Sequence, residues 1–186
     1  MTNELKLCEG RPNDTAGRLP KEIRCYDLLD SLGIGYMRLD HPAALTMDDC
    51  RETDIVLGCE MCKNLFLSNR QKTEFYLLIM KGEKPFRTKD ISHELGVSRL
   101  SFADGADMEK YLDITPGSVS ILGLMNDRDC RVRLLVDSDL LADEYIGCHP
   151  CVNTSSLRIR REDIFSVFLP YTRHGYTTVT ISAPVE

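Results

Sequence analysis

The chain has 186 residues and a formal net charge of -6, with 42% hydrophobic and 28% charged residues. That length suits one domain with a decorated N-terminus, large enough to bury a core without covalent staples. No apolar run approaches the roughly 20 residues of a membrane helix, the opening MTNELKLCEG lacks the apolar stretch of an export signal, and the acidic balance argues against a broad nucleic-acid surface while leaving room for a local basic groove.

A cytoplasmic protein is expected. Its eight cysteines then read as thiols, metal ligands or packing residues rather than as a disulfide framework.

Residues 1–18 read as a loose lead-in, with Pro12, Asn13, Asp14 and Gly17 and little periodicity; the rest, 19–186, reads as one domain. Lys21 to Leu32 places Ile23, Tyr26, Leu28, Leu29 and Leu32 on one helical face, and Gly33 ends it. Ile34–Asp40 follows as a short strand. Thr46 and Asp49 have the form of a capping box opening a helix that runs to Leu57. Asn64–Leu67 and Phe75–Met80 read as a hairpin, joined by the polar link Ser68–Thr73.

Thr88–Leu95 is a helix closed by Gly96, Leu100–Phe102 a strand and Asp107–Leu112 a short helix. Thr115–Ser120 is a loop by composition. Arg131–Asp137 alternates as a strand, followed by a short helix and strands at Tyr145–Cys148 and Ser156–Ile159. The spacing then predicts a helix over Arg161–Phe168, halted near Pro170, and a last strand at Thr177–Ile181. Strands and helices mix without strict alternation, which favours an α+β domain with a mixed sheet and flanking helices over a doubly wound parallel sheet.

No nucleotide-binding glycine motif, nucleophile elbow or His-Glu-x-x-His helix is present. Three polar clusters stand out instead. The first is Cys62-Lys63-Asn64, a lysine entering an apolar strand, for which the plain reading is a strand-edge side chain reaching to water. The second is Thr115-Pro116-Gly117-Ser118-Val119-Ser120-Ile121, whose backbone amides could line a concave anion or carbonyl site. The third is His149-Pro150-Cys151-Val152-Asn153-Thr154, which holds more hydrogen-bonding groups than a turn requires.

Together with Leu100-Ser101-Phe102-Ala103 and Gly123-Leu124-Met125-Asn126-Asp127, these segments resemble the prolyl-tRNA editing family, the YbaK-like domains related to the editing insertion of bacterial prolyl-tRNA synthetase. The resemblance spans about Lys21 to the C-terminus. It implies a mixed, partly barrel-like sheet and a trans-editing deacylase that hydrolyses the ester of mischarged Ala-tRNA(Pro), with no cofactor. The related Cys-tRNA(Pro) deacylase, and a non-catalytic tRNA-binding module of the same fold, are the alternatives. The implied partners are the acceptor end of tRNA(Pro) carrying a small amino acid, and prolyl-tRNA synthetase.

By that resemblance Lys63 matches the family's functional lysine, Asn64 its neighbour in the pocket and His149 the histidine of the His-Pro segment, the three forming the expected catalytic set. Gly117, Ser118, Val119, Ser120 and Ile121, with Asn153, are the expected substrate-binding residues. Ile121 stands where the family's loop motif has proline.

Cys59-x-x-Cys62 and Cys148-x-x-Cys151 flank these residues. Two such pairs can make a tetrahedral zinc site, but more than eighty residues separate them, far beyond a compact zinc ribbon. Reduced, packed thiols are the favoured reading, and a redox-sensitive pair a further one. Arg158, Arg160 and Arg161, with Arg70 and Lys72 on the hairpin, are candidates to face an acceptor stem.

Overall fold

The computed structural model describes residues 5–43 and 47–181, with the side chains of 47–50 left aside. Thr46 of the expected capping box lies outside the described residues. The elements in order are β1 (Leu7–Glu9), α1 (Pro20–Ser31), β2 (Tyr36–Asp40), α2 (Met47–Leu57), β3 (Lys63–Asn69), β4 (Phe75–Met80), α3 (Thr88–Glu94), β5 (Leu100–Phe102) and α4 (Gly105–Leu112). A 3-10 turn (Ile121–Asn126), β6 (Val132–Asp137), a second 3-10 turn (Ser138–Ala142), β7 (Tyr145–Cys148) and β8 (Ser155–Arg160) follow. The chain ends in α5 (Arg161–Asp163), a π turn (Ile164–Phe168), α6 (Leu169–Thr172) and β9 (Tyr176–Val179).

The strands form two sheets, in the orders β1-β2-β8-β7 and β5-β3-β4-β6-β9. The first is antiparallel throughout. The second is mixed: β3 pairs antiparallel with β4 and β5, while β4, β6 and β9 run parallel. This is the α+β architecture with mixed strands, and neither sheet closes on itself into a barrel.

The second sheet is covered on both faces, which explains why β4 is apolar at every position. Phe75, Leu77 and Ile79 enter the main core, with α1 and the inner face of the first sheet. Tyr76, Leu78 and Met80 point the other way, into a smaller core under α3. A strand alternates its side chains, so a strand buried on both faces must be a continuous apolar run.

Two local expectations change, at the lead-in and at Pro170, and one unassigned segment, Ile121–Asn126, proves structured. The lead-in contains an edge strand: β1 pairs with β2 through Leu7–Leu39 and Cys8–Arg38, a pairing supplied by its partner rather than by its own periodicity. Ile121–Asn126 folds as a 3-10 turn with Leu122, Gly123 and Leu124 buried. A Cβ on Gly123 would come within 2.6 Å of Ile114 Cδ1 and 3.1 Å of Leu112 Cβ, so any larger residue there would displace the buried Ile114 side chain. The helical path also continues past Pro170 to Thr172. Proline lacks an N–H and its ring clashes with the carbonyl four residues back, and the π turn just before it widens the path, with the Leu169 amide reaching Ile164 O. Arg173, at φ 61°, ends the helix.

Candidate functional site

The two sheets touch at one corner, where Met61 bridges Gly147 and the Cys62 amide donates to Gly147 O at 2.9 Å. A Cβ on Gly147 would lie 2.5 Å from Glu60 O, so only glycine admits this approach. The consequence is positional: Cys62-Lys63-Asn64, entering β3, runs beside Cys148-His149, leaving β7.

The 115–121 loop comes to the same corner. Ser118 N donates to Thr115 O at 3.1 Å, with Pro116 and Gly117 at the centre of the turn. Gly117 has φ +88°, which a type II turn demands of its third residue and glycine supplies without strain. Ser120 then ties the loop down. Its hydroxyl donates to His149 O at 2.6 Å and accepts from Leu122 N at 3.2 Å, so one side chain joins the loop to the histidine segment and caps the 3-10 turn. Ile121, where the family has proline, is fully buried in the main core and anchors the loop from below. Among the described residues the amides of Gly117, Val119 and Ser120 donate to no acceptor.

His149 Nδ1 lies 2.8 Å from Ser155 O. A carbonyl only accepts, so Nδ1 carries the proton and Nε2 keeps a lone pair. Burial first, and then neighbouring His41, hold this imidazole below its ordinary value of 6.5, in its neutral form at pH 7. Asn153 has no hydrogen-bond partner among the described residues, and its Nδ2 would stand 3.8 Å from a Cβ on Gly117, against the outer edge of the turn.

Lys63 and Asn64 leave the strand on opposite faces. Lys63 shares its face with Leu65 and Leu67, which pack toward the smaller core, and its ammonium donates to Lys84 O at 2.7 Å. Asn64 shares the face of Phe66, toward the main core and the loop. Asn64 Nδ2 donates to Cys62 O at 2.8 Å, and its Oδ1 is buried with no hydrogen-bond partner. The structure thus gathers the 117–121 loop, His149 and Asn153 at one corner and turns Asn64 to the sheet face of the main core. It aims Lys63 away from them across the sheet edge, with no hydrogen bond to His149 or to the loop.

Sequence reasoning missed His41. Pairing of β2 with β8 sets Leu39 opposite Ser156 and Asp40 opposite Ser155. This brings the His41 ring within 6.4 Å of the His149 ring, where His41 Nε2 and the Ser156 hydroxyl share a hydrogen bond of 2.8 Å. A signal existed: His41-Pro42 and His149-Pro150 are the same dipeptide at the ends of two strands.

The cysteines do not act as one set. Cys151 turns to Cys25 on α1, sulfur to sulfur at 3.5 Å. Burial pushes the Cys59 and Cys62 thiols up to about 12 and the Cys148 thiol well up. Among the described residues no three His, Cys, Asp or Glu side chains are grouped as a metal ion would need. The basic candidates are likewise divided. Arg158 stacks on Tyr145, Arg161 donates to Asp143 O, and Lys72 is held by Asp104 and Asp107, while Arg70 is exposed. No helix among the described residues is long and apolar enough to cross a membrane.

The sheets of this two-sheet α+β domain meet at a corner of free amides, an imidazole and a carboxamide, and comparison with known proteins gives the domain a family. A profile of the aminoacyl-tRNA editing domain matches residues 41–166. The chain belongs to this family, the YbaK-like, prolyl-tRNA synthetase-associated editing domains.

Among its relatives is the prolyl-tRNA editing protein ProX of Acetoanaerobium sticklandii, 29% identical over 136 residues, covering 73% of this chain and 83% of the relative. A prolyl-tRNA synthetase associated domain-containing protein 1 of Danio rerio is 27% identical over 158 residues, 84% of each chain. A crystal structure described as a proposed trans-editing enzyme for prolyl tRNA synthetase shares the fold, with TM-score 0.67 and 16% identity over 89% of this chain and 99% of that one.

Proposed function

We propose that the protein is a trans-editing aminoacyl-tRNA deacylase that hydrolyses the ester joining alanine to the terminal ribose of mischarged tRNA(Pro). The observation that carries this reading is the loop of unsatisfied amides at Gly117, Val119 and Ser120, pinned by Ser120 to His149. Ester hydrolysis passes through a tetrahedral oxyanion, and fixed donors aimed at that oxygen lower the barrier, each worth about 2.7–4 kcal/mol.

In this reading the loop amides and Asn153 hold the aminoacyl carbonyl. Asn64 Oδ1, a buried acceptor without a partner, accepts from the substrate's α-ammonium. The lone pair of His149 Nε2 orders the attacking water, together with the neighbouring ribose hydroxyl. Lys63, facing the other side of the sheet edge, holds a phosphate of the tRNA end rather than the reacting carbonyl. Water adds to the ester carbon, the ribose oxygen leaves with a proton, and alanine and intact tRNA are released.

Size selection explains the need for such a site. A binding pocket separates substrates differing by a methylene by only about 1–3 kcal/mol, so a synthetase site that accepts proline also admits alanine, and a second, smaller site is required to sort them. In this reading the buried side chains of Ile121, Cys148 and Cys151 limit that smaller site on its inner side.

The experiment is a deacylation panel on Ala-, Cys-, Ser- and Pro-tRNA(Pro). Fastest release of alanine, with Pro-tRNA(Pro) spared, is the expected result. Fastest release of cysteine would assign the protein to thiol clearance, and no release from any member would overturn the enzymatic reading.

A further inference from the structure

The second sheet ends in an edge that the site above does not use. β5 is its outer strand, and a cavity of about 420 Å³ opens at its start, lined by Arg70, Gln71, Ser98, Arg99, Leu100 and Ser101. Arg70 and Arg99 are exposed, and neither forms an ion pair or hydrogen bond with any described residue. The nearby acids are already occupied: Asp104 and Asp107 by Lys72, Glu74 by Arg133. In a chain of net charge -6, this corner therefore presents two unneutralised guanidinium groups.

Both arginines stand on ordered supports. Asn69 Oδ1 accepts from Thr73 N and Glu74 N, which fixes the hairpin turn carrying Arg70. Ser92 Oγ accepts from Leu100 N, which fixes the loop carrying Arg99. Next along β5, Phe102 is 60% exposed, edge-on to Phe86 at 6.0 Å. Phe102 pairs with Leu67, so by strand alternation it stands on the side of Lys63; Leu65 and Leu67 between them are covered by the smaller core, and the route from Phe102 to Lys63 therefore follows the β3 edge, which β5 pairs only over Leu67–Asn69. Leu67 lies four steps along β3 from Lys63, about 13 Å at the ordinary rise, and Asn69 lies about 20 Å from Lys63.

We propose that this edge is the docking surface for the acceptor arm of the tRNA, with backbone phosphates in the Arg70–Arg99 cavity, a base stacked on Phe102 and the strand leading to Lys63. Guanidinium forks suit phosphate oxygens, and an exposed aromatic beside cations is the usual platform for an unpaired base. The spacing fits as well, since about 20 Å is roughly six stacked nucleotides at ~3.4 Å each. That length covers the unpaired 3′ end and the first pairs of the stem.

This inference rests on the editing reading for the identity of the RNA, but its test does not need catalysis. The first arm measures binding of uncharged tRNA(Pro) across a salt series, for wild type, Arg70→Ala/Arg99→Ala and Phe102→Ala. The double variant is expected to bind more weakly and to lower the slope of log affinity against log salt by roughly 1–2, one phosphate contact per arginine. Phe102→Ala is expected to weaken binding roughly tenfold at unchanged slope.

The second arm compares hydrolysis of Ala-tRNA(Pro) with that of an alanylated CCA fragment. The double variant should lose at least tenfold in kcat/KM on the whole tRNA and nothing on the fragment. Wild-type affinity and slope in the double variant, or equal losses on tRNA and fragment, would overturn the surface. A wild type that binds tRNA through these arginines but releases no amino acid would sink the editing reading and leave the surface standing.

Discussion

Ser120→Ala removes one hydroxyl and with it two hydrogen bonds that hold the corner together. The hydroxyl donates to His149 O at 2.6 Å and accepts from Leu122 N at 3.2 Å, in a residue with no solvent exposure. Losing a cap costs about 1 kcal/mol, and stranding a buried acceptor about 1–3 kcal/mol. The sum, about 2–4 kcal/mol, lowers Tm by roughly 5–15 °C at the ~2–4 °C per kcal/mol expected for a chain of this size.

The same change frees the loop amides from their register with His149, so kcat/KM for Ala-tRNA(Pro) should fall by roughly tenfold to a hundredfold, measured at a temperature where the variant is fully folded. Ser118→Ala is the control, because Ser118 is buried in the same loop but its side chain makes no hydrogen bond to a described residue. Thermal unfolding by circular dichroism and single-turnover deacylation read both variants. Were Ser120→Ala and Ser118→Ala to melt together and react at the same rate, the link from loop to histidine would not exist.

Gly117→Ala puts a side chain on a residue at φ +88° with only Asn153 nearby, so strain of about 1 kcal/mol is expected, with a larger loss in kcat/KM than in stability as the turn shifts. His149 favours its neutral form when folded. Its contribution to stability is therefore complete above pH 6.5 and lost as pH falls below that value, and kcat/KM should show the same acid limb, absent in His149→Ala. Asp127 is buried and accepts from Arg131 N and Val132 N beside His174. Burial raises its pKa, but His174 and the two amides outweigh that and hold it below 3.8. Asp127→Asn should cost about 3–5 kcal/mol near neutral pH, a deficit that narrows as the wild type acidifies below pH 3.8, read by denaturant unfolding.

Much of this was legible in the residues. The β3–β4 hairpin followed from two apolar runs around a polar link, and β7 was bounded as the pattern gave it, because both are set by local periodicity. The three polar clusters stood out for the same reason, as polar residues interrupting apolar strand ends.

What escaped was set by contacts distant in sequence. β1 exists because β2 offers it an unpaired edge, and nothing in Leu7–Glu9 announces that. The helix through Pro170 survives because a π turn precedes it, a backbone adjustment without a composition signal. His41 needed the β2–β8 register before its dipeptide could be matched with that of His149. The division of Lys63 and Asn64 between two faces was the least accessible, since alternation shows that neighbours diverge but not which face holds which core.

The claim on which the rest depends is that this corner cleaves a small aminoacyl ester from tRNA(Pro). The direct measurement is release of labelled alanine from Ala-tRNA(Pro) by the purified protein, beside Pro-tRNA(Pro) and the His149→Ala variant. Many turnovers on the alanyl ester, little on the prolyl ester, and a loss of roughly a hundredfold in the folded variant are expected. Alanine that stays on the tRNA, or a His149→Ala protein as active as wild type, would contradict it.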